Sequence, residues 1–95
     1  LTGVNLTAAV LTNANLTGVV LENANLTDAN LESANLTDAF LMGANLGGAN
    51  LNGANLTYAT MPTNADTKAE FKAVVGAGNW DATTTIWVDG NPIGE

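Results

Sequence analysis

The sequence has no cysteine, no histidine and no arginine, and each absence removes a class of chemistry. Without cysteine there is no disulfide staple, no thiolate metal site and no thiol nucleophile, and redox compartment is left open. Without histidine the chain lacks the commonest metal ligand and the usual proton shuttle at neutral pH. Its only side-chain cations are Lys68 and Lys72. Nine acidic residues against two lysines give a formal charge of −7, which opposes direct contact with nucleic acid or an anionic membrane. A basic protein partner suits that charge. No apolar run approaches the ~20 residues that span a bilayer, and no charged-then-apolar leader opens the chain. The expectation is a soluble protein, cytoplasmic or exported. At 95 residues it forms one small domain, or the ordered piece of a larger chain.

What the chain does have is a repeat. Leucine recurs at every fifth position from Leu1 to Leu56, and Met61 takes the next slot. From Leu6 onward the residue two before each leucine is alanine, or valine at Val4 and Val19. The residue directly before is asparagine in eight units, from Asn5 to Asn55. Self-similarity on this scale outranks every other signal.

A period of five fits neither regular element. On a helix, five residues advance ~500°, so successive leucines would smear around the cylinder. On a flat strand an odd period sends successive leucines to opposite faces. A path that bends once per unit, always in the same sense, points every leucine inward. The alanine two places earlier then shares an interior with room for little more than a methyl group. Asparagine and glycine are expected at the corners, since both tolerate unusual backbone angles and asparagine bonds locally to backbone. The inference is a solenoid.

The units Ala24-Asn25-Leu26-Thr27-Asp28 and Ala34-Asn35-Leu36-Thr37-Asp38 resemble the pentapeptide-repeat family, whose motif is A-(D/N)-L-x-x. The resemblance covers residues 2–61 in twelve consecutive units. It implies an all-β solenoid, a right-handed quadrilateral β-helix with four units per coil, hence about three coils over residues 1–61. Departures from the motif support a twenty-residue coil independently. Val20, Phe40 and Thr60 replace asparagine twenty residues apart, and Thr17, Thr37 and Thr57 form another such column.

From Pro62 the repeat stops, and residues 62–95 read as a C-terminal cap. A helix is expected at about 64–76, with Thr63 and Asp66 as its capping box and Gly76 as its stop. A short extended segment follows at about 83–88, closed by an Asp89-Gly90 turn. Phe71, Val74, Val75, Trp80 and Trp87 are expected to pack over the open end of the last coil. A two-tryptophan ligand groove is the alternative. Nothing comparable precedes Leu1, so that end is expected to be a truncated coil or a surface for end-to-end self-association.

Catalysis finds little support. Ser33 is the only serine and has no histidine to activate it. Asp28 and Asp38 stand ten residues apart, on opposite sides of a four-sided coil. No calcium-loop spacing or phosphate loop appears, so no metal or cofactor is expected. The five Asn-Leu-Thr triplets match the glycosylation acceptor pattern, but the repeat writes them automatically. The threonine column invites comparison with ice-binding solenoids, although the neighbouring columns are mixed.

Two outward features remain. Glu22, Asp28, Glu32 and Asp38 all lie within 21–40, whereas 1–20 and 41–60 carry no charge. Val20, Phe40 and Met42 form an outward apolar stripe where asparagine is usual. The C-terminal tail folding back over that stripe is an equal explanation for it. The reading is a non-catalytic structural or protein-interaction module with an unidentified protein partner. The alternative, implied by the resemblance, is an acidic DNA mimic that binds a topoisomerase, DNA gyrase.

Overall fold

Each five-residue unit builds one short side and one corner, and a single left-handed residue sets the corner. In the computed structural model, which describes residues 2–94, the second residue after each leucine has positive φ. This holds at all twelve corners from Gly3 to Tyr58, with φ between 58° and 72°. The next amide bonds back to the leucine carbonyl, as Ala24 N–H does to Leu21 at 3.1 Å, and closes a four-residue turn.

Asn13 and Asn23 stand at corners as expected, but the asparagines that directly precede leucine do not, which corrects the sequence expectation for them. They stand in the middle of the sides, in parallel bridges between coils. Their capacity for local bonding is used even so. Asn25 and Asn35 each accept, through Oδ1, the N–H of the threonine two residues on, both at 3.0 Å. The left-handed demand falls on the last slot of the unit, which holds Gly, Asn, Asp, Ser, Ala or Tyr.

Bridges link Asn5 to Asn25 to Asn45, Val10 to Asn30 to Asn50, Asn15 to Asn35 to Asn55, and Val20 to Phe40 to Thr60. The chain therefore passes each of four sides three times between Asn5 and Thr60, every bridge joining residues twenty apart. A bridging residue turns both its polar groups toward the preceding coil. Asn45 N–H donates to Ala24 O at 2.9 Å, and Asn45 O accepts from Leu26 N–H at 2.8 Å. Continuous strands do not form, because one bridging residue is followed at once by the next corner.

The interior is a stack of leucines separated by alanines. Leu21 through Leu56 are 0–1% exposed, and each contributes about 2 kcal/mol of apolar burial. Leu6, Leu11 and Leu16, in the first coil described, are only half-buried. Gly48, at φ 68°, leaves room for the Asp28 carboxylate one coil earlier, which an added Cβ would force to turn aside.

After Pro62 the chain makes one 3-10 turn, Thr63–Ala65, and then a single α-helix, α1, Lys68–Val75. This helix starts later than the sequence suggests. Its capping box is Thr67 with Glu70, because a glutamate reaches back to the cap N–H whereas Asp66 ends the preceding turn. Gly76, at φ 93°, stops it by donating to Lys72 O at 3.0 Å. The extended segment reduces to isolated bridges at Ile86, parallel to Asn55 and antiparallel to Pro92. Thr84 lies in a turn instead, and the amide of Gly90 bonds back to Trp87 O at 2.9 Å.

The tail bonds to the exposed edge of the third coil. Leu51 N–H donates to Asn79 O, Leu56 N–H to Ile86 O and Tyr58 N–H to Val88 O, each at 2.8 Å. Phe71, Val75, Trp87 and Ile93 enter the same core cluster as the leucines.

Candidate functional site

Because each side is flat and three coils deep, residues far apart in sequence meet on one face. The fourth side consists of Val19–Leu21, Ala39–Leu41 and Ala59–Met61. Its central column is Val20, Phe40 and Thr60. One bordering corner carries Gly18, Asp38 and Tyr58, and the other carries Glu22, Met42 and Pro62. Val20, Phe40 and Met42 are 39%, 46% and 52% exposed. The tail therefore does not cover the stripe. It bonds instead along the second and third sides.

The structure adds a residue that the sequence reading passed over. Tyr58 is 73% exposed and holds φ 60°, a conformation that a bulky side chain rarely adopts. Its signal was available, since it occupies the slot that Gly, Asn, Asp, Ser and Ala8 otherwise fill. Val10, 79% exposed, is the other outward apolar residue, and it stands alone on the second side.

The four acids of the middle coil occupy four different corners. Glu22 and Asp38 border the fourth side, whereas Asp28 and Glu32 lie around the far corners. No two of them face each other across a pocket. The threonine hydroxyls at 17, 37 and 57 turn onto the asparagines beside them, at 2.7, 2.6 and 2.5 Å, which takes their protons out of any outward array.

The expected cap residues divide. Phe71, Val75 and Trp87 are buried, with the Phe71 and Trp87 rings 5.2 Å apart and tilted by 57°. Val74 and Trp80 are half-buried. Trp80 lies beneath Lys72 Nζ, 4.4 Å from the ring centroid, so the two tryptophans do not line one groove. Thr85 is the buried polar residue of the tail. Its hydroxyl donates to Leu51 O and accepts from Asp81 N–H, both at 2.9 Å. Asp81 in turn is held below the ordinary aspartate pKa, first by the backbone N–H of Thr83, then by its hydroxyl and by Thr84.

Among the described residues no helix is long and apolar enough to cross a membrane, and no group of acids could hold a metal ion. An open cleft of about 370 Å³ lies between Gly43–Asn45 and Pro62–Asn64, beside Met42.

A ladder of leucine-centred sides turned by left-handed corners defines a class, and comparison with known proteins agrees. The pentapeptide-repeats family matches in eight copies over residues 1–38 and 34–61. The chain belongs to the pentapeptide-repeat family, whose members form right-handed β-helices. It is similar to a pentapeptide repeat protein of the Arabidopsis thaliana thylakoid lumen, at 33% identity over 65% of this chain and 44% of that one, with TM-score 0.62. HetL, involved in heterocyst differentiation regulation in Nostoc sp. strain PCC 7120, is 29% identical over 96% of this chain and 41% of its own, with TM-score 0.61. Rfr23 of Cyanothece 51142 is 46% identical over 61% and 43%, with TM-score 0.54. The chain spans less than half the length of each of these structures. No curated protein matches it.

Proposed function

We propose that the chain is a non-catalytic protein-interaction module whose contact face is the fourth side of its solenoid. The observation that carries this reading is the exposed cluster of Val20, Phe40 and Met42, with Tyr58 at the same border. Exposed apolar side chains gathered on one flat face, with carboxylates at both borders, suit a segment that presents apolar and basic side chains together. The tail serves as the cap of the C-terminal coil, since its bonds and buried rings take the place of a fourth coil. Similarity to HetL, named for a part in regulation, is consistent with an interaction role.

Mimicry of DNA toward a topoisomerase has no observation in its favour. The four carboxylates circle one coil, and a body of 31 × 25 × 22 Å does not extend them along a rod.

Selection from a random displayed-peptide library tests the interaction reading. Peptides rich in lysine or arginine and apolar residues should be enriched. Their binding should be lost in Phe40→Asn and weakened by salt, with less salt dependence in Glu22→Gln/Asp38→Asn. Enrichment that survives Phe40→Asn unchanged would place the contact elsewhere and overturn the proposal.

A further inference from the structure

Asn52-Gly53 is the one place in the sequence where asparagine precedes glycine. That pairing carries its own reactivity. The backbone nitrogen of the following residue can attack the asparagine side-chain carbonyl carbon, and glycine, with no Cβ, hinders the approach least. Eight other asparagines precede leucine, whose branched side chain obstructs the same attack. The structure places Asn52-Gly53 at the corner between the second and third sides of the third coil, against the tail. Gly53 is the left-handed corner residue, at φ 72°.

Each nitrogen that the reaction needs is held by a partner. Asn52 Nδ2 donates to Gly78 O and to Asn50 Oδ1, both at 2.8 Å. Gly53 N–H donates to Thr85 Oγ1 at 3.2 Å. Two of these three partners, Gly78 and Thr85, belong to the tail. Ring closure needs the Asn52 side chain and the Gly53 nitrogen to leave them.

We propose that Asn52 is a site of spontaneous deamidation that the docked tail suppresses, and that its product no longer lets the tail dock fully. With the tail lifted, the Gly53 nitrogen bonds to Asn52 Cγ and gives its proton to solvent. Nδ2 leaves as ammonia, and a five-membered imide closes. Water then opens the imide at either carbonyl, so that one amide and one water become a carboxylate and ammonium. Opening at the backbone carbonyl yields isoaspartate, whose main chain runs through the side chain and is one atom longer.

Neither product fits the closed arrangement. A carboxylate has no hydrogen to donate, so it sets oxygen against Gly78 O and Asn50 Oδ1. Turning the Asn50 amide round gives no relief, because the same Oδ1 accepts Asn52 N–H at 3.0 Å. Isoaspartate also lengthens a turn that Ala54 N–H closes on Leu51 O at 3.0 Å. The reaction therefore converts brief openings of the tail into a lasting one.

Ageing the 95-residue chain in mildly alkaline buffer tests this, with intact mass and peptide mapping to count and locate the lost amides. In urea Asn52 should react ahead of every other asparagine. In the native chain it should react more slowly by about tenfold or more. Thr85→Val and Ile93→Ala should each speed the native reaction about tenfold, since both raise the fraction of chains with the tail open. Ile93 is buried in the core cluster and makes none of the three bonds above. Its variant therefore separates tail opening from a local effect of the Thr85 hydroxyl. Asn52→Asp makes one product directly. In it the amides of Leu51 and Leu56, bonded to Asn79 O and Ile86 O, should exchange about tenfold faster.

Native deamidation at Asn52 that is as fast as in urea, or that Ile93→Ala leaves unchanged, overturns the proposal, because tail docking then does not control the site. Exchange in Asn52→Asp equal to that of the wild type overturns it as well, since the product then fits beneath the closed tail.

Discussion

The Thr85 hydroxyl donates to the Leu51 carbonyl across 2.9 Å, and this bond fastens the tail to the third coil. The same oxygen accepts the N–H groups of Asp81 at 2.9 Å and Gly53 at 3.2 Å. Thr85→Val keeps the shape and removes all three partners inside a fully buried site. A loss of about 1–3 kcal/mol is expected, since buried polar groups are left unpaired. Urea unfolding checks it, with Thr85→Ser retaining most of the stability. A Thr85→Val variant as stable as the wild type, with the loss appearing in Thr85→Ser, would show that the methyl group, not the hydroxyl, matters here.

The same residue shows what the sequence made legible and what it hid. Leu26, Ala24 and Asn25 could be placed from letters alone, because burial of each leucine demands a bend per unit and only alanine fits beside it. Thr85-Ile86-Trp87-Val88 shares no letter with the repeat at its matching slots, yet it stands as a partial fourth rung on the third side. Ile86 bridges Asn55 as the next coil's middle residue would, while Thr85 and Trp87 turn inward where alanine and leucine otherwise sit. Backbone pairing and a widening interior permit that substitution, and neither is written in the local sequence. The stripe of Val20, Phe40 and Met42 was legible as a departure from asparagine. Tyr58 was legible only as an odd letter in its slot, because its place on that face depends on which slot forms the corner.

The corner slot carries its own prediction. Ala8 holds φ 58°, where a Cβ is unfavourable by about 1–2 kcal/mol. Glycine removes that strain but adds freedom to the unfolded chain, so Ala8→Gly should stabilise by about 0.5–1 kcal/mol. Tyr58→Gly, at φ 60°, should stabilise similarly while weakening the proposed contact face. Thermal melts of both variants test the corner geometry. Destabilisation of both would mean that the left-handed corner is not maintained in solution.

Burial along the solenoid predicts a gradient of sensitivity. Leu36 is completely buried between two coils, and Leu36→Ala should cost about 2–5 kcal/mol. Leu11 is half-buried, so in the 95-residue chain Leu11→Ala should cost clearly less. Urea unfolding of the two variants gives the comparison. Equal losses would contradict the uneven cover of the two coils.

The turn that precedes Thr85 depends on charge. Asp81 Oδ1 accepts Thr83 N–H and Thr83 Oγ1–H, both at 2.9 Å, and Thr84 N–H at 3.1 Å. These bonds favour the ionised carboxylate and hold its pKa below the ordinary value. A depressed folded-state pKa gives stability that is fully present above the unfolded-state value of about 4. That contribution is lost as the pH falls through the lower, folded-state value. Asp81→Asn keeps one acceptor oxygen without the charge, so it should be less stable than the wild type at neutral pH. The difference should shrink as both are acidified. Melting temperatures of the two proteins from neutral to acid pH provide the check, and a gap that stays constant would show that the Asp81 charge does not hold this turn.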